Sequence, residues 1–213
     1  TAVEECFMNV RQELTQFQLA QKGQPENGPE MELSELADKV SLDVLFEYLQ
    51  LCDTMDAAIV VEESIKEIWK CHRDPEKRWK MDHGIAELLR GDKEDALITF
   101  KELVNDDPEY AEAWNKVATC QFMMGNLMAS LDAARRTLEL QPKHFQALNG
   151  LGLAQYETRR YKLAAESFRQ SLQIDPWSPV SSRLAACLDL LVSLDVEEDE
   201  GSREGTAPYE TKR

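Results

Sequence analysis

Three prolines, Pro108, Pro142 and Pro176, stand 34 residues apart each time. A fixed period that recurs in this way requires a chain assembled from copies of one small unit, each unable to bury its apolar face alone. Cutting on the period gives residues 77–110, 111–144 and 145–178. Each copy has a small residue at its eighth position (Gly84, Ala118, Gly152) and another at its twentieth (Ala96, Ser130, Ala164). Small side chains there let two helices approach closely. Between them lie breaks at Gly91-Asp92, Gly125-Asn126 and Arg159-Arg160, where one helix ends and an antiparallel one begins. The proline stops the second helix because it lacks an N–H and biases its predecessor out of the α region. Each unit is therefore expected to be a helical hairpin. Leu97, Phe100, Leu103 and Val104 draw the buried stripe of its second helix in the first copy.

These positions resemble the tetratricopeptide repeat (TPR) family. The matches are Gly84, Ala96, Phe100 and Pro108; Trp114, Ala118, Gly125 and Pro142; and Gly152, Ala164, Phe168 and Pro176. The chain departs from the pattern at Lys80, at Glu87, Gln121 and Gln155, and at Ala134, where an aromatic is usual. YAEAWNKVAT (110–119) and PKHFQALNGLG (142–152) also look like a short TPR group of proteobacteria and of plant and algal plastids. The resemblance implies an all-α, right-handed solenoid whose first helices line a concave groove at their second, fifth, ninth and twelfth positions. The partner-binding residues it implies are Arg78, Met81, Ile85, Asn115, Thr119, Phe122, Asn149, Leu153 and Tyr156. Relatives that bind chaperone C-termini carry a carboxylate clamp of Lys, Asn and Arg. The matching positions here hold Met81 and Ile85, Lys116, and Gln146 and Gly150. The clamp is missing, so an apolar helix or extended peptide fits this groove better.

Outside the repeats, residues 34–76 show helical periodicity at Leu42, Leu45 and Leu49 and at Ile59, Ile65, Ile68 and Trp69. They are expected to form a degenerate helical pair stacked on the first repeat. Residues 179–194 read as a capping helix, with Ser178 as N-cap, Pro179 in the first turn, and Leu184, Cys187, Leu188, Leu191 and Leu194 on one face. Residues 195–213, with EEDEGSREG, read as an acidic disordered tail. At the other end, residues 1–22 carry Val3, Phe7, Val10, Leu14 and Phe17, a narrow apolar seam down one amphipathic helix, joined by a linker over 23–33. That helix is expected to extend the array, with docking in the groove as an autoinhibitory rival.

Charge removes several functions. Lys and Arg number 24 against 40 Asp and Glu, a net charge of −16, so the positive field that nucleic acid requires is lacking. No apolar run reaches the roughly 18–20 residues of a membrane span, and the first residues carry Glu4 and Glu5 rather than a signal-peptide core. Five cysteines without C-x-x-C spacing fit a reducing compartment. The expected location is thus soluble, in cytoplasm or, by the narrower resemblance, plastid (chloroplast). P-loop and zincin motifs are absent, Gly150-Leu151-Gly152 sits inside a helix, and His72, His83 and His144 are dispersed. No catalytic, cofactor or metal residue is assigned, and the chain is not expected to be an enzyme. The function expected is a non-catalytic scaffold that binds a protein or peptide partner, with a structural or assembly-factor subunit of a larger complex as the alternative.

Overall fold

The structure, a computed structural model, describes residues 41–204, with side chains through residue 193. The expected 1–22 helix, the 23–33 linker and residues 205–213 lie outside the described residues. Those described form nine α-helices and no strand: α1 (Leu42–Leu51), α2 (Met55–Lys70), α3 (Pro75–Arg90), α4 (Lys93–Asp106), α5 (Ala111–Met123), α6 (Leu127–Leu140), α7 (Phe145–Glu157), α8 (Tyr161–Ile174) and α9 (Ser181–Glu204). The pairs α3/α4, α5/α6 and α7/α8 are the three expected hairpins, and each packs on the next.

The turn inside each hairpin is built the same way three times. Gly91, Gly125 and Arg159 take left-handed backbone with φ of 92°, 78° and 59°. The following amide then reaches back, Asp92 N–H to Glu87 O, Asn126 N–H to Gln121 O and Arg160 N–H to Gln155 O. This closes the last turn of the first helix and satisfies its orphan carbonyls. Glycine is favoured there because it has no Cβ to clash, and Arg159 adopts the conformation against that preference.

The eighth position explains the odd second repeat. A Cβ on Gly84 would stand 2.7 Å from Phe100 Cε1, and one on Gly152 would stand 2.5 Å from Phe168 Cε1. In repeat two both partners change together: Ala118 faces a smaller Ala134, and both are buried. With no ring at the position of Phe100 and Phe168, a methyl at the eighth position meets no such clash. Met81, Phe100, Leu103, Tyr110, Val117, Cys120 and Leu131 share one continuous core through the first two hairpins.

Two flanking elements differ from expectation. Helix α9 covers α8 through Ala164, Phe168, Val180 and Cys187, as a cap should. It runs on to Glu204, ten residues past the expected end at Leu194 and into the segment read as disordered. No glycine or proline intervenes between Pro179 and Gly201 to stop it.

The larger difference concerns α1 and α2. They do not stack on repeat one but fold back along the array. Leu45, Phe46, Leu49, Ala58, Val61, Ile65 and Trp69 form a core with Phe145, against which Ile174 and Trp177 pack. Helix α1 lies on α8, where Gln50 Nε2 donates to Gln173 O at 2.9 Å, and α2 lies on α5. The physical reason is aromatic. Trp69 and Phe46 find a partner in Phe145, which opens the third repeat, whereas repeat one presents charged Lys77 and Arg78 at the equivalent place.

Candidate functional site

The chain's first-helix residues divide into a covered half and an open half. The second and fifth positions lie near the start of each first helix, and α2 passes over them. Glu112 is 4% exposed and Asn115 is also buried. Arg78 is half-buried and donates to His72 O at 2.9 Å. Asn149 is half-buried and donates from Nδ2 to Ser178 Oγ at 3.2 Å, and its Oδ1 lies buried without a partner.

Sequence reasoning missed the groups at the centre of the covered half. His144 is fully buried, and its Nδ1 accepts from Ala147 N–H at 3.2 Å, capping α7. The ring proton therefore sits on Nε2, which donates to Glu112 Oε2 at 2.8 Å. Lys116 Nζ stands 2.7 Å from the other Glu112 oxygen, and Asn115 Nδ2 donates to Oε2 at 3.1 Å. Burial alone would raise the Glu112 carboxyl, but Lys116 and His144 outweigh it and hold it down at about 2. Trp69 of α2 lies flat on the other side of His144, ring centroids 3.9 Å apart and 14° from parallel. Its indole N–H has no partner. The cluster bridges the second and thirty-fourth positions of one repeat, a pairing that sequence distance disguises.

A second histidine–carboxylate contact lies ahead of α3. His72 Nδ1 accepts from Asp74 N–H at 3.0 Å and Nε2 meets Asp107 Oδ2 at 2.9 Å, beside Lys77. Tyr110 Oη donates to Lys70 O, which ties the end of α2 to the first repeat. At the far end, burial and the nearby Glu62 of α2 push the Asp175 carboxyl up to about 6. Its Oδ1 accepts from Trp177 N–H.

The open half comprises the ninth, twelfth and thirteenth positions. Ile85, Leu88 and Phe122 are partly buried against the main core, Thr119 is exposed, and Leu89 and Met123 are 84% and 47% exposed. In repeat three, Leu153 and Tyr156 line a cavity of about 190 Å³ with Phe168 and with Ser182, Arg183 and Ala186 of the capping helix.

Of the nine residues expected to meet a partner, then, Ile85, Thr119, Phe122, Leu153 and Tyr156 share this strip. Met81 and Asn115 are corrections. Met81 is fully buried in the core, and Asn115 is spent on Glu112. Arg78 and Asn149 are likewise engaged within the chain. Among the described residues no group of three or more His, Cys, Asp or Glu is placed to hold a metal ion, and no helix is long and apolar enough to cross a membrane. Burial pushes the Cys52 and Cys120 thiols up to about 11, the opposite of nucleophile activation.

Repeated hairpins with a small residue under an aromatic define a helical-repeat class, and comparison with known proteins names it. Residues 123–179 match the tetratricopeptide repeat family model. The described residues have the tetratricopeptide repeat fold, an all-α solenoid of antiparallel helical hairpins. It is 28% identical over 138 residues to a TPR repeat-containing protein of Rhizobium etli, covering 65% of this chain and 68% of that one. It is 22% identical to the BBSome complex member BBS4 homolog of Drosophila melanogaster, over 64% of this chain and 27% of that protein. Against the human SGT1 homolog it is 27% identical over 51% of this chain and 30% of the relative. The chain thus spans about a third or less of those two relatives. Among solved structures, the Sgt2 TPR domain of Aspergillus fumigatus superposes with a TM-score of 0.51 at 19% identity, covering 66% of this chain and 90% of that one. The first TPR of Spaghetti bound to an HSP90 peptide gives 0.51 at 14%, covering 52% and 89%.

Proposed function

We propose that this protein is a non-catalytic scaffold that binds an apolar helix or extended segment of a partner along the open half of its first-helix face. The observation that carries the reading is the strip of partly buried Ile85, Leu88 and Phe122 with exposed Leu89 and Met123, which no described helix closes while α2 lies over the other half of the same face. Burying such side chains is a source of binding energy, and the flexible Met123 beside two leucines suits a surface that adapts to its guest. An acidic peptide of the kind held by the first TPR of Spaghetti fits this strip poorly. The chain carries a net charge of −16, and Lys116 of α5 is already held by Glu112.

The test uses the full chain carrying a photoreactive amino acid at position 122 or, as a control, at exposed position 101 of α4. Crosslinked partners at 122 and not at 101, lost in a Leu89→Ser, Phe122→Ala, Met123→Ser variant that stays folded, are the expected result. A variant that keeps every partner at unchanged affinity overturns the reading and moves binding to the outer face.

A further inference from the structure

The contact of α9 with the third repeat is not filled. Val180 and Cys187 pack on Ala164, Ala165 and the fully buried Phe168. Beside them, α9 sets Ser182 and Ala186 against Leu153 and Tyr156 of α7, and side chains this short leave open the cavity of about 190 Å³. Its floor is fixed. Phe168 Cε1 stands 2.5 Å from where a Cβ on Gly152 would be, and the Tyr156 ring meets Tyr161 edge-on at 5.3 Å. Two polar groups at the cavity are unspent. Arg183, exposed in the first turn of α9, has no ion pair or hydrogen bond among the described residues, and neither has the Tyr156 hydroxyl. Ser182, by contrast, already donates to Pro179 O at 3.2 Å. An apolar cavity of about 150 Å³ takes up benzene, whereas sites for whole small molecules run to roughly 300–1,000 Å³. The space therefore suits one leucine- or phenylalanine-sized side chain and not a cofactor.

We propose that this cavity is the anchor pocket for the partner segment: it takes one large apolar side chain, while Arg183 pairs with a carboxylate next to that residue in the partner's sequence. The proposal rests on the groove reading for the source of the segment. Leu153 and Tyr156 are the ninth and twelfth positions of α7 and continue the line of Ile85 and Leu88 in α3 and of Thr119 and Phe122 in α5. The chemistry of the anchor follows from the pocket itself. Apolar area closed off against Leu153, Phe168 and Ala186 supplies the binding energy, and a guanidinium, which meets a carboxylate through two parallel N–H donors, supplies the selection. One carboxylate is rewarded at Arg183, but an acidic run is not, because the net charge of −16 repels it.

The probe is the acetylated, amidated tetrapeptide Ala-Phe-Asp-Ala, titrated into the full chain and followed by the backbone amide NMR signals of Leu153, Tyr156 and Ala186. The expected result is saturable shifts at those amides. Affinity is expected to fall roughly threefold or more, as for a partly exposed ion pair, both for Ala-Phe-Asn-Ala and in an Arg183→Gln chain. With Ala-Ala-Asp-Ala the shifts are expected to vanish. Arg183 is exposed and unpaired, so its substitution leaves the fold intact. Absence of saturable shifts overturns the proposal. So does equal affinity for the Asp and Asn peptides or for the Phe and Ala peptides, or unchanged affinity in Arg183→Gln. Shifts at Ile85 or Phe122 instead place the anchor elsewhere on the strip and overturn it too. These amides are read apart from the crosslink at position 122, so the pocket can fail while the groove reading stands, and the groove reading can fail while the pocket binds its peptide.

Discussion

Trp69 stacks flat on His144, and through that ring a helix from before the repeats is joined to the boundary between the second and third repeats. The indole also meets Phe46 and Phe145, so one side chain holds α1, α2 and α7 together. Trp69→Ala is expected to destabilise the protein by roughly 3 to 5 kcal/mol, the range for deleting a large buried aromatic. Urea unfolding followed by far-UV circular dichroism measures it. An unchanged midpoint would mean that α2 does not rest on this stack.

Glu112 is the only carboxylate of the cluster and has three partners, so Glu112→Ala strands Lys116, Asn115 and His144 together. The expected cost is roughly 3 to 5 kcal/mol, as for breaking a buried ion pair from one side. The sign with pH follows from a carboxyl held at about 2 against an ordinary 4.5. Its stabilisation is fully present above pH 4.5 and is lost as pH falls toward 2. Parent and variant midpoints should therefore converge in that window, which acid titration of thermal unfolding would show.

Asp175 behaves in the opposite sense. Its folded pKa is raised, from 3.8 to about 6, so its proton binding favours the folded state below 3.8, and that gain is lost as pH rises through 6. The groups facing it are Glu62 and Lys66 of α2 and Cys52 at the end of α1. Asp175→Asn keeps an oxygen for Trp177 N–H and removes the buried charge. It is expected to stabilise the chain at pH 8 by at most about 3 kcal/mol, and to do little at pH 4. Equal effects at both values would count against the shift.

Two glycines in α7 should respond with opposite signs. Gly150 has nothing within 4 Å of an added Cβ, so Gly150→Ala gains helix propensity of about 0.8 to 1 kcal/mol. Gly152→Ala drives a methyl into the buried Phe168 ring and is expected to cost roughly 1 to 3 kcal/mol. Paired thermal melts decide it.

The hairpins were legible because their signals are local: a glycine, a small residue, an aromatic and a proline at fixed offsets, each acting within its own 34 residues. Helix α2 was legible as a helix, yet not in its place. Periodicity says which side of Trp69 is buried and leaves open what buries it. His144 looked isolated for the same reason, since its partners are 32 residues upstream and 75 residues upstream in the chain. Of the positions expected to face a partner, Met81 and Asn115 were spent inside because contacts between neighbouring repeats compete for them.

The return path of α1 and α2 changes how such an array comes apart. Stacked repeats with only neighbour contacts fray from their ends, each unit melting almost independently. Here residue 50 is fastened to residue 173, so the last hairpin cannot loosen without releasing the first described helix. Contacts of such long sequence separation form late and slowly during folding, after the local hairpins are in place. Once made, they couple the two ends into one cooperative unit, and hydrogen exchange in α8 should report the same opening free energy as in α1 rather than a gradient along the stack.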